Sequence, residues 1–225
     1  MKLFKWNVIL LALLLAAITM VPMVSAGETV KVQASPDSVQ FINWAYQNEG
    51  KVVTAAQCLE KSAPGYWVNL SDEKKKAYSE IKVEIPNFHS PNQKTEAVSA
   101  TSSLSGESSK TLISPQVIVY VATANSATSA VPGAINYWAS TSNTPTAFPV
   151  TNIIAQLMRW DGSQWVMVDQ GTDTEYYTTF AEVWKNKFLP QSGTYITYSQ
   201  HYGDFPPGAV PAAYYMTRWS NQATY

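Results

Sequence analysis

The sequence predicts a mainly β protein, an antiparallel sandwich in its C-terminal half with a small helical region before it. After residue 115, runs of branched and aromatic residues with period-two alternation recur at regular spacing. Turn signals such as Pro132-Gly133 and Asp161-Gly162 separate these runs. The composition is 12% aromatic and only 14% charged, which suits a β protein whose exposed faces carry Thr, Ser, Tyr and Gln.

Residues 1–26 have the pattern of a secretory signal peptide. Lys2 and Lys5 precede an apolar run that ends in Val24-Ser25-Ala26, a small-x-small cleavage site. The alternative is a retained membrane anchor, but Pro22 interrupts the run, which is shorter than the ~20 residues a spanning helix needs. We therefore expect a secreted or cell-surface mature chain of residues 27–225.

The net charge excludes some partners. Loss of Lys2 and Lys5 takes the formal charge from −1 to −3, too weak and too scattered to attract nucleic acid or, after cleavage, a membrane surface. Phosphate-binding glycine loops, zinc-ligand spacings and a Gly-x-Ser-x-Gly nucleophile motif are absent from the sequence. The sequence thus predicts no cofactor and no metal.

Residues 27–94 read as a small helical region. Ser35-Pro36-Asp37 is a helix start that predicts a helix over 36–48, and a second helix is predicted over 53–62. Ser71 caps a third, SDEKKKAYSEI, whose lysine run is read as a solvated helix face, not as a patch for an anionic partner. Residues 95–114 hold ten Ser or Thr and are predicted to be a linker or long loop.

The stretch from Asn152 to Asp169 predicts one antiparallel hairpin. Asp161-Gly162 supplies the positive φ angles that a tight turn needs. Ile153, Ala155 and Leu157 then share one face of the first strand, which we expect to face the core.

Residues 115–225 hold six principal strand segments, with the hairpin counted as one, which fit the two packed sheets of an immunoglobulin-like domain. Ser192-Gly193-Thr194-Tyr195 has the pattern of a tyrosine corner, in which the hydroxyl bonds back to the preceding loop. Val117, Val119 and Val121 share one face of the first strand, and Gly171 is read as a turn. The strands other than the hairpin are predicted over 116–123, 134–140, 175–184, 194–202 and 213–220.

The hairpin and the late strands resemble those of small exported β-sandwich proteins of Gram-positive bacteria. The shared patterns are L-x3-n-G-s-x-W and G-x-Y-r-x-x-s-x-H, and the resemblance covers about residues 115–225. It implies a fold and an exported location, and it assigns no catalytic residue. The matching positions here are Leu157, Asp161, Gly162, Ser163, Trp165, Gly193, Tyr195 and His201.

Cys58 is the only cysteine, so no intrachain disulfide can form. The pattern AAQCLEK places it on the apolar side of a helix, as a buried small hydrophobe; an intermolecular disulfide or a nucleophile activated by His89 or His201 are the alternatives. His201 shares a strand face with Tyr195, Thr197 and Ser199, which favours a hydrogen-bonded structural role. His89 is expected in an exposed loop.

Oxygen ligands for calcium are a further alternative in VDQGTDTEY. Asp169, Asp173 and Glu175 could approach an ion from one loop, but the ligand spacing is incomplete, so a solvated inter-strand turn is the preferred interpretation. Asn69-Leu70-Ser71 is a glycosylation sequon, which matters only in an organism that glycosylates exported proteins.

Aromatic side chains are the most distinctive feature of the β region. Stacked Tyr and Trp make rigid surfaces for sugar rings or protein partners, although ordinary cross-strand packing uses them too. We hypothesise a non-enzymatic protein that binds an extracellular protein or glycan through an aromatic sheet face; a secreted hydrolase with its site at the helical/β boundary, or a structural envelope protein, are the alternatives. The aromatic residues considered are Trp138, Trp160, Trp165, Trp184, Trp219, Tyr198, Tyr202, Tyr214 and Tyr215, and the predicted binding residues are Trp160, Trp165, Tyr198, Tyr202, Tyr215 and Trp219.

Overall fold

A computed structural model describes residues 36–93, 101–103 and 118–225, with the backbone alone for 101–103. The predicted signal peptide and most of the predicted linker lie outside the described residues. No helix in the described ranges has the length and apolar character needed to cross a membrane.

The first described part, residues 36–84, forms what we call the helical layer. Its elements are α1 (Pro36–Tyr46), β1 (Val52–Thr54), α2 (Ala55–Ser62), α3 (Pro64–Val68), α4 (Asp72–Glu80) and β2 (Lys82–Glu84), and β1 pairs antiparallel with β2. The helix predicted over 36–48 is confirmed. The second begins two residues later than predicted because Val53 pairs in β1, and the Ser71 hydroxyl caps α4 by accepting from the Lys74 N–H.

The remaining strands form two antiparallel sheets, so the protein is mainly β and sandwich-like. They are β3 (Thr101–Ser103), β4 (Val119–Val131), β5 (Ala134–Thr144), β6 (Phe148–Trp160), β7 (Trp165–Thr178), β8 (Phe180–Phe188), β9 (Thr194–Asp204), β10 (Ala213–Trp219) and β11 (Ala223–Thr224). Sheet A has the order β10-β9-β6-β7, with β11 also paired to β9. Sheet B has the order β3-β4-β5-β8.

Sheet A is the middle of three layers, with sheet B on one side and the helical layer on the other. Its strand β9 is buried at every position after Thr194, because the side chains on each of its two faces contact a neighbouring layer. Ile196, Tyr198 and Tyr202 pack against the helical layer, whereas Tyr195 packs against sheet B. A strand covered on both faces has no solvent-facing side, unlike a strand on the outside of a sandwich.

The central hairpin is confirmed. Strands β6 and β7 pair antiparallel across the Asp161-Gly162 turn, and Gly162 has φ +106°. Ile153, Ala155 and Leu157 are fully buried between the two sheets. The hairpin therefore forms the centre of sheet A and supplies core to both of its sides.

The turn predicted at Gly171 is wrong, and so is the single strand predicted over 175–184. Strand β7 runs through Gly171 to Thr178, and the chain then enters β8 at Phe180 in the other sheet. A Cβ at Gly171 would lie 2.6 Å from Val183 Cγ1. This glycine is needed for close approach of β7 to β8, not for a turn.

The tyrosine corner is confirmed, because the Tyr195 hydroxyl donates to the Gln191 carbonyl. On β4, Val119 and Val121 do share a face, but that face is turned to solvent. Tyr120, Ala122 and Ala124 point inward instead. Val117 lies outside the described residues.

Candidate functional site

The helical layer covers most of the aromatic residues that the sequence suggested as a binding surface. Five of the six are buried and pack in the core between the layer and sheet A, and Trp160 is half-buried against the same core. The expectation that they form an exposed face is therefore wrong. The fractional exposures are 1% for Trp165, 1% for Tyr198, 4% for Tyr202, 2% for Tyr215 and 6% for Trp219.

Aromatic packing explains this burial. Phe41 of α1 stacks on Tyr198, with ring centroids 6.4 Å apart and planes at 6°. Phe88, in the segment after β2, meets Tyr198 and Trp219 at 5.6 and 5.4 Å in edge-on geometry. Such contacts add to the free energy gained by removing large apolar surfaces from water. The N-terminal region therefore provides half of a shared core.

Polar bonds fix the layer at two places. At one, Lys74 of α4 forms an ion pair with the buried Asp204, and the Tyr78 hydroxyl donates to the Gly203 carbonyl at 3.0 Å. At the other, the Tyr46 hydroxyl donates to the Trp165 carbonyl at 2.6 Å. These bonds set the orientation of the layer on sheet A.

An exposed aromatic surface does exist, but on the opposite side of the molecule. We call it the outer face: the solvent-facing positions of β4, β5 and β8 in sheet B. Trp138 of β5 lies directly opposite Trp184 of β8, and Ala127 of β4 continues the same cross-strand row. Trp184 is 64% exposed and Trp138 half-buried. Neighbouring strands lie about 4.8 Å apart, so the two indoles share one patch of the sheet.

Polar rows flank the tryptophan row on both sides. One side has Ser129, Asn136 and Asn186 in cross-strand register, and the other has Asn125, Ser140 and Glu182, of which Ser140 is buried. Glu182 is the only charged residue on the outer face of these three strands. Two indoles flanked by amides, hydroxyls and one carboxylate could pack on an apolar surface and bond the hydroxyls around it.

A concave feature lies at the boundary between the helical layer and sheet A. This edge groove of about 430 Å³ runs between β2 and β10 and is closed by the segment after β2. Its lining residues are Lys82, Val83, Glu84, Pro86, Asn87, Ser90, Asn92, Gln93, Tyr215, Met216, Thr217, Arg218 and Trp219.

The structure separates the groups that a cysteine hydrolase would bring together. Cys58 is buried on α2 as predicted, and burial, opposed by a hydrogen bond to Tyr215, raises its thiol pKa to about 12. His89 is exposed as predicted and lies 2.8 Å from Glu49. A protonated thiol with no histidine partner among the described residues lacks an activated nucleophile.

His201 has the predicted structural role. It is fully buried between the sheets, with Nδ1 2.8 Å from the Thr141 hydroxyl and Nε2 2.8 Å from that of Ser199. Burial first, and then the charge of Arg218, lowers its pKa to about 3. The imidazole is therefore neutral at physiological pH and holds β9 to β5.

The interpretation of Asp169, Asp173 and Glu175 as a solvated turn is wrong, and so is their placement in one loop. All three lie along strand β7, and Asp169 is buried. The three cannot converge on one ion, because Asp169 and Glu175 are six residues apart on the strand and each residue advances by about 3.3 Å. Among the described residues, no cluster of three His, Cys, Asp or Glu could hold a metal ion.

Comparison with known proteins adds no family. No family model matches the sequence, and no curated protein is significantly similar to it. The geometry of the molecule is therefore the basis for the proposals below.

Sequence reasoning named Trp138 and Trp184 among the aromatic residues but did not select them. A signal was present: Glu182, Trp184 and Asn186 alternate with Ala181 and Val183, so Trp184 shares its face with polar residues. That alternation marks a solvent-facing tryptophan, whereas Tyr198 and Tyr202 lie on β9, which is covered on both faces.

Proposed function

We propose that this protein is a secreted or cell-surface immunoglobulin-like β-sandwich protein that binds a glycan, without catalysis, through the outer face. The observation that carries the proposal is the Trp138–Trp184 pair, opposed in register on an exposed sheet face and flanked by amide and hydroxyl side chains. Indole rings pack against the C–H faces of sugar rings, and the flanking polar groups bond their hydroxyls.

The low charge of the outer face supports a neutral glycan over an acidic one. A single carboxylate, Glu182, repels anionic polymers and accepts hydrogen bonds from sugar hydroxyls. The flatness of a sheet face suits a chain or crystalline surface of sugars, because a flat patch contacts several units at once. We therefore expect polymeric neutral glycans to bind better than monosaccharides.

Secretion and an immunoglobulin-like fold are parts of the same proposal. The pattern of residues 1–26 supports secretion, and the confirmed tyrosine corner supports the immunoglobulin-like assignment and the likeness to exported β-sandwich proteins of Gram-positive bacteria. A hydrolase at the helical/β boundary has less support, because the edge groove contains neither Cys58 nor a histidine.

The test is a glycan array and a polysaccharide pull-down with the mature chain, residues 27–225. Trp184→Ala should lower affinity for a retained neutral glycan at least about tenfold, or 1.4 kcal/mol. Tyr176→Ala is the matched control, since Tyr176 is 66% exposed but lies on sheet A. Equal binding by Trp184→Ala and the parent, or retention of no neutral glycan, would contradict the proposal. New reducing ends in the bound polysaccharide would indicate a hydrolase instead.

A further inference from the structure

We propose that the edge groove binds an extended peptide segment of a partner protein as an added β-strand. The inference is independent of glycan binding, because the groove and the outer face lie on different sheets. It depends on the free edges of two strands that line the groove and on the charges beside them.

The first free edge belongs to β10, the end strand of sheet A. Ser220 N–H donates to the Thr197 carbonyl at 2.9 Å, and Phe205 N–H donates to the Ala212 carbonyl at 3.0 Å. In an antiparallel pair, every second residue forms backbone hydrogen bonds to the neighbouring strand. These two bonds therefore show which residues of β10 direct their backbone groups toward β9. Tyr215, Thr217 and Trp219 therefore direct their backbone N–H and C=O groups away from β9.

The second free edge belongs to β2. Ala55 N–H donates to the Ile81 carbonyl at 2.9 Å, and Ile85 N–H donates to the Lys51 carbonyl at 3.0 Å. By the same alternation, Lys82 and Glu84 direct their backbone groups away from β1. No strand of the described residues pairs with this edge or with that of β10.

Residues of both free edges line the edge groove. They are Lys82 and Glu84 of β2 and Tyr215, Thr217 and Trp219 of β10, whose backbone groups point away from the paired strand. The groove therefore lies along both free edges.

An extended peptide is the ligand that matches these features. Donors and acceptors spaced along two strands fit the alternating N–H and C=O groups of a third strand, and strand addition to a free edge is a known mode of peptide recognition. A volume of about 430 Å³ lies in the range of ligand pockets. Lys82, Arg218 and Glu84 offer charges of both signs, so we expect a peptide with both an acidic and a basic side chain.

Proline substitution distinguishes binding through backbone hydrogen bonds to an added strand from binding through side chains. The outward N–H of Thr217 makes no bond to β9, so Thr217→Pro removes a groove donor and keeps the sheet. Arg218→Pro removes an inward N–H and should destabilise the fold, which provides the matched control. Lys82→Pro removes the outward N–H of the β2 edge in the same way, and it replaces Thr217→Pro if that variant does not fold.

The probe is a phage-displayed library of random linear dodecapeptides, selected on the mature chain and followed by titration of the best synthetic peptide. We expect Thr217→Pro and Lys82→Pro each to weaken binding of that peptide at least tenfold, as should N-methylation of its interior residues. Trp184→Ala should leave it unchanged, so failure of this proposal and failure of glycan binding are distinguishable.

Several results would overturn the proposal. One is a selection that yields only peptides insensitive to Thr217→Pro and Lys82→Pro, or no peptide above background. Concentration-dependent self-association of the mature chain that Thr217→Pro abolishes would assign the groove to a second copy of this chain instead.

Discussion

The two aromatic faces of this protein have similar side chains and opposite environments. The helix-facing side of sheet A holds Tyr198, Tyr215 and Trp219 at exposures of 1%, 2% and 6%. The outer face of sheet B holds Trp184 at 64%. The difference is the helical layer, which covers one sheet and not the other. Aromatic content therefore locates strands, whereas the cover over each strand decides whether an aromatic residue stabilises the core or is available to a ligand.

The largest expected effect compares one residue from each face. Tyr198→Ala should lower the free energy of unfolding by about 3–5 kcal/mol, because it opens a cavity against Phe41 and Phe88. Trp184→Ala should change it by less than about 0.5 kcal/mol, since most of that side chain is already in water. Urea denaturation of both variants measures the difference, and equal losses would show that the two faces are equally covered.

The second prediction concerns the pH dependence of stability and tests the side of sheet A that faces sheet B. The His201 pKa is about 3 in the folded protein against 6.5 for an unperturbed histidine, so the unfolded chain alone binds the proton as pH falls below 6.5. Stability should then fall by about 1.4 kcal/mol per pH unit, or about 2 kcal/mol by pH 5. His201→Gln should lose this slope between pH 7 and 5. An unchanged slope in the variant would mean that another group causes it.

The third prediction destabilises helix α2 of the helical layer without changing a residue of sheet A or sheet B. Thr54 caps α2 by accepting the Gln57 N–H at 3.2 Å, and the Gln57 side chain accepts the Thr54 N–H at 2.9 Å. Thr54→Ala should cost about 1 kcal/mol and speed alkylation of the buried Cys58 thiol about fivefold. Ser71→Ala, at the cap of α4, is the control and should leave the rate near that of the parent. If both variants respond alike, the layer opens as one unit.

Much of the fold could be predicted from local patterns. The Asp161-Gly162 turn, the inward face of Ile153, Ala155 and Leu157, and the Ser71 cap depend on residues close in sequence, and all are confirmed. Gly171 could not be read correctly, because its role is a contact with Val183 of the other sheet. Local signals do not show which distant element approaches a glycine.

The site was harder to predict than the fold for the same reason. The sequence shows Tyr198 and Trp219 on aromatic strands, but only the packing of Phe41 and Phe88 on them decides that they are buried. The apolar content of the short N-terminal helices is too modest for a core of their own. They share the core of sheet A instead, which exposes the outer face as the remaining aromatic surface.

Hydroxyl-radical footprinting with mass spectrometry on the mature chain tests the central claim most directly, because it reports the solvent access of each aromatic side chain. We expect rapid oxidation of Trp184 and Tyr176, and protection of Trp165, Tyr198, Tyr215 and Trp219 by at least tenfold. Oxidation of Tyr198 and Trp219 at the rate of Trp184 would contradict it, since the helical layer would then not cover sheet A.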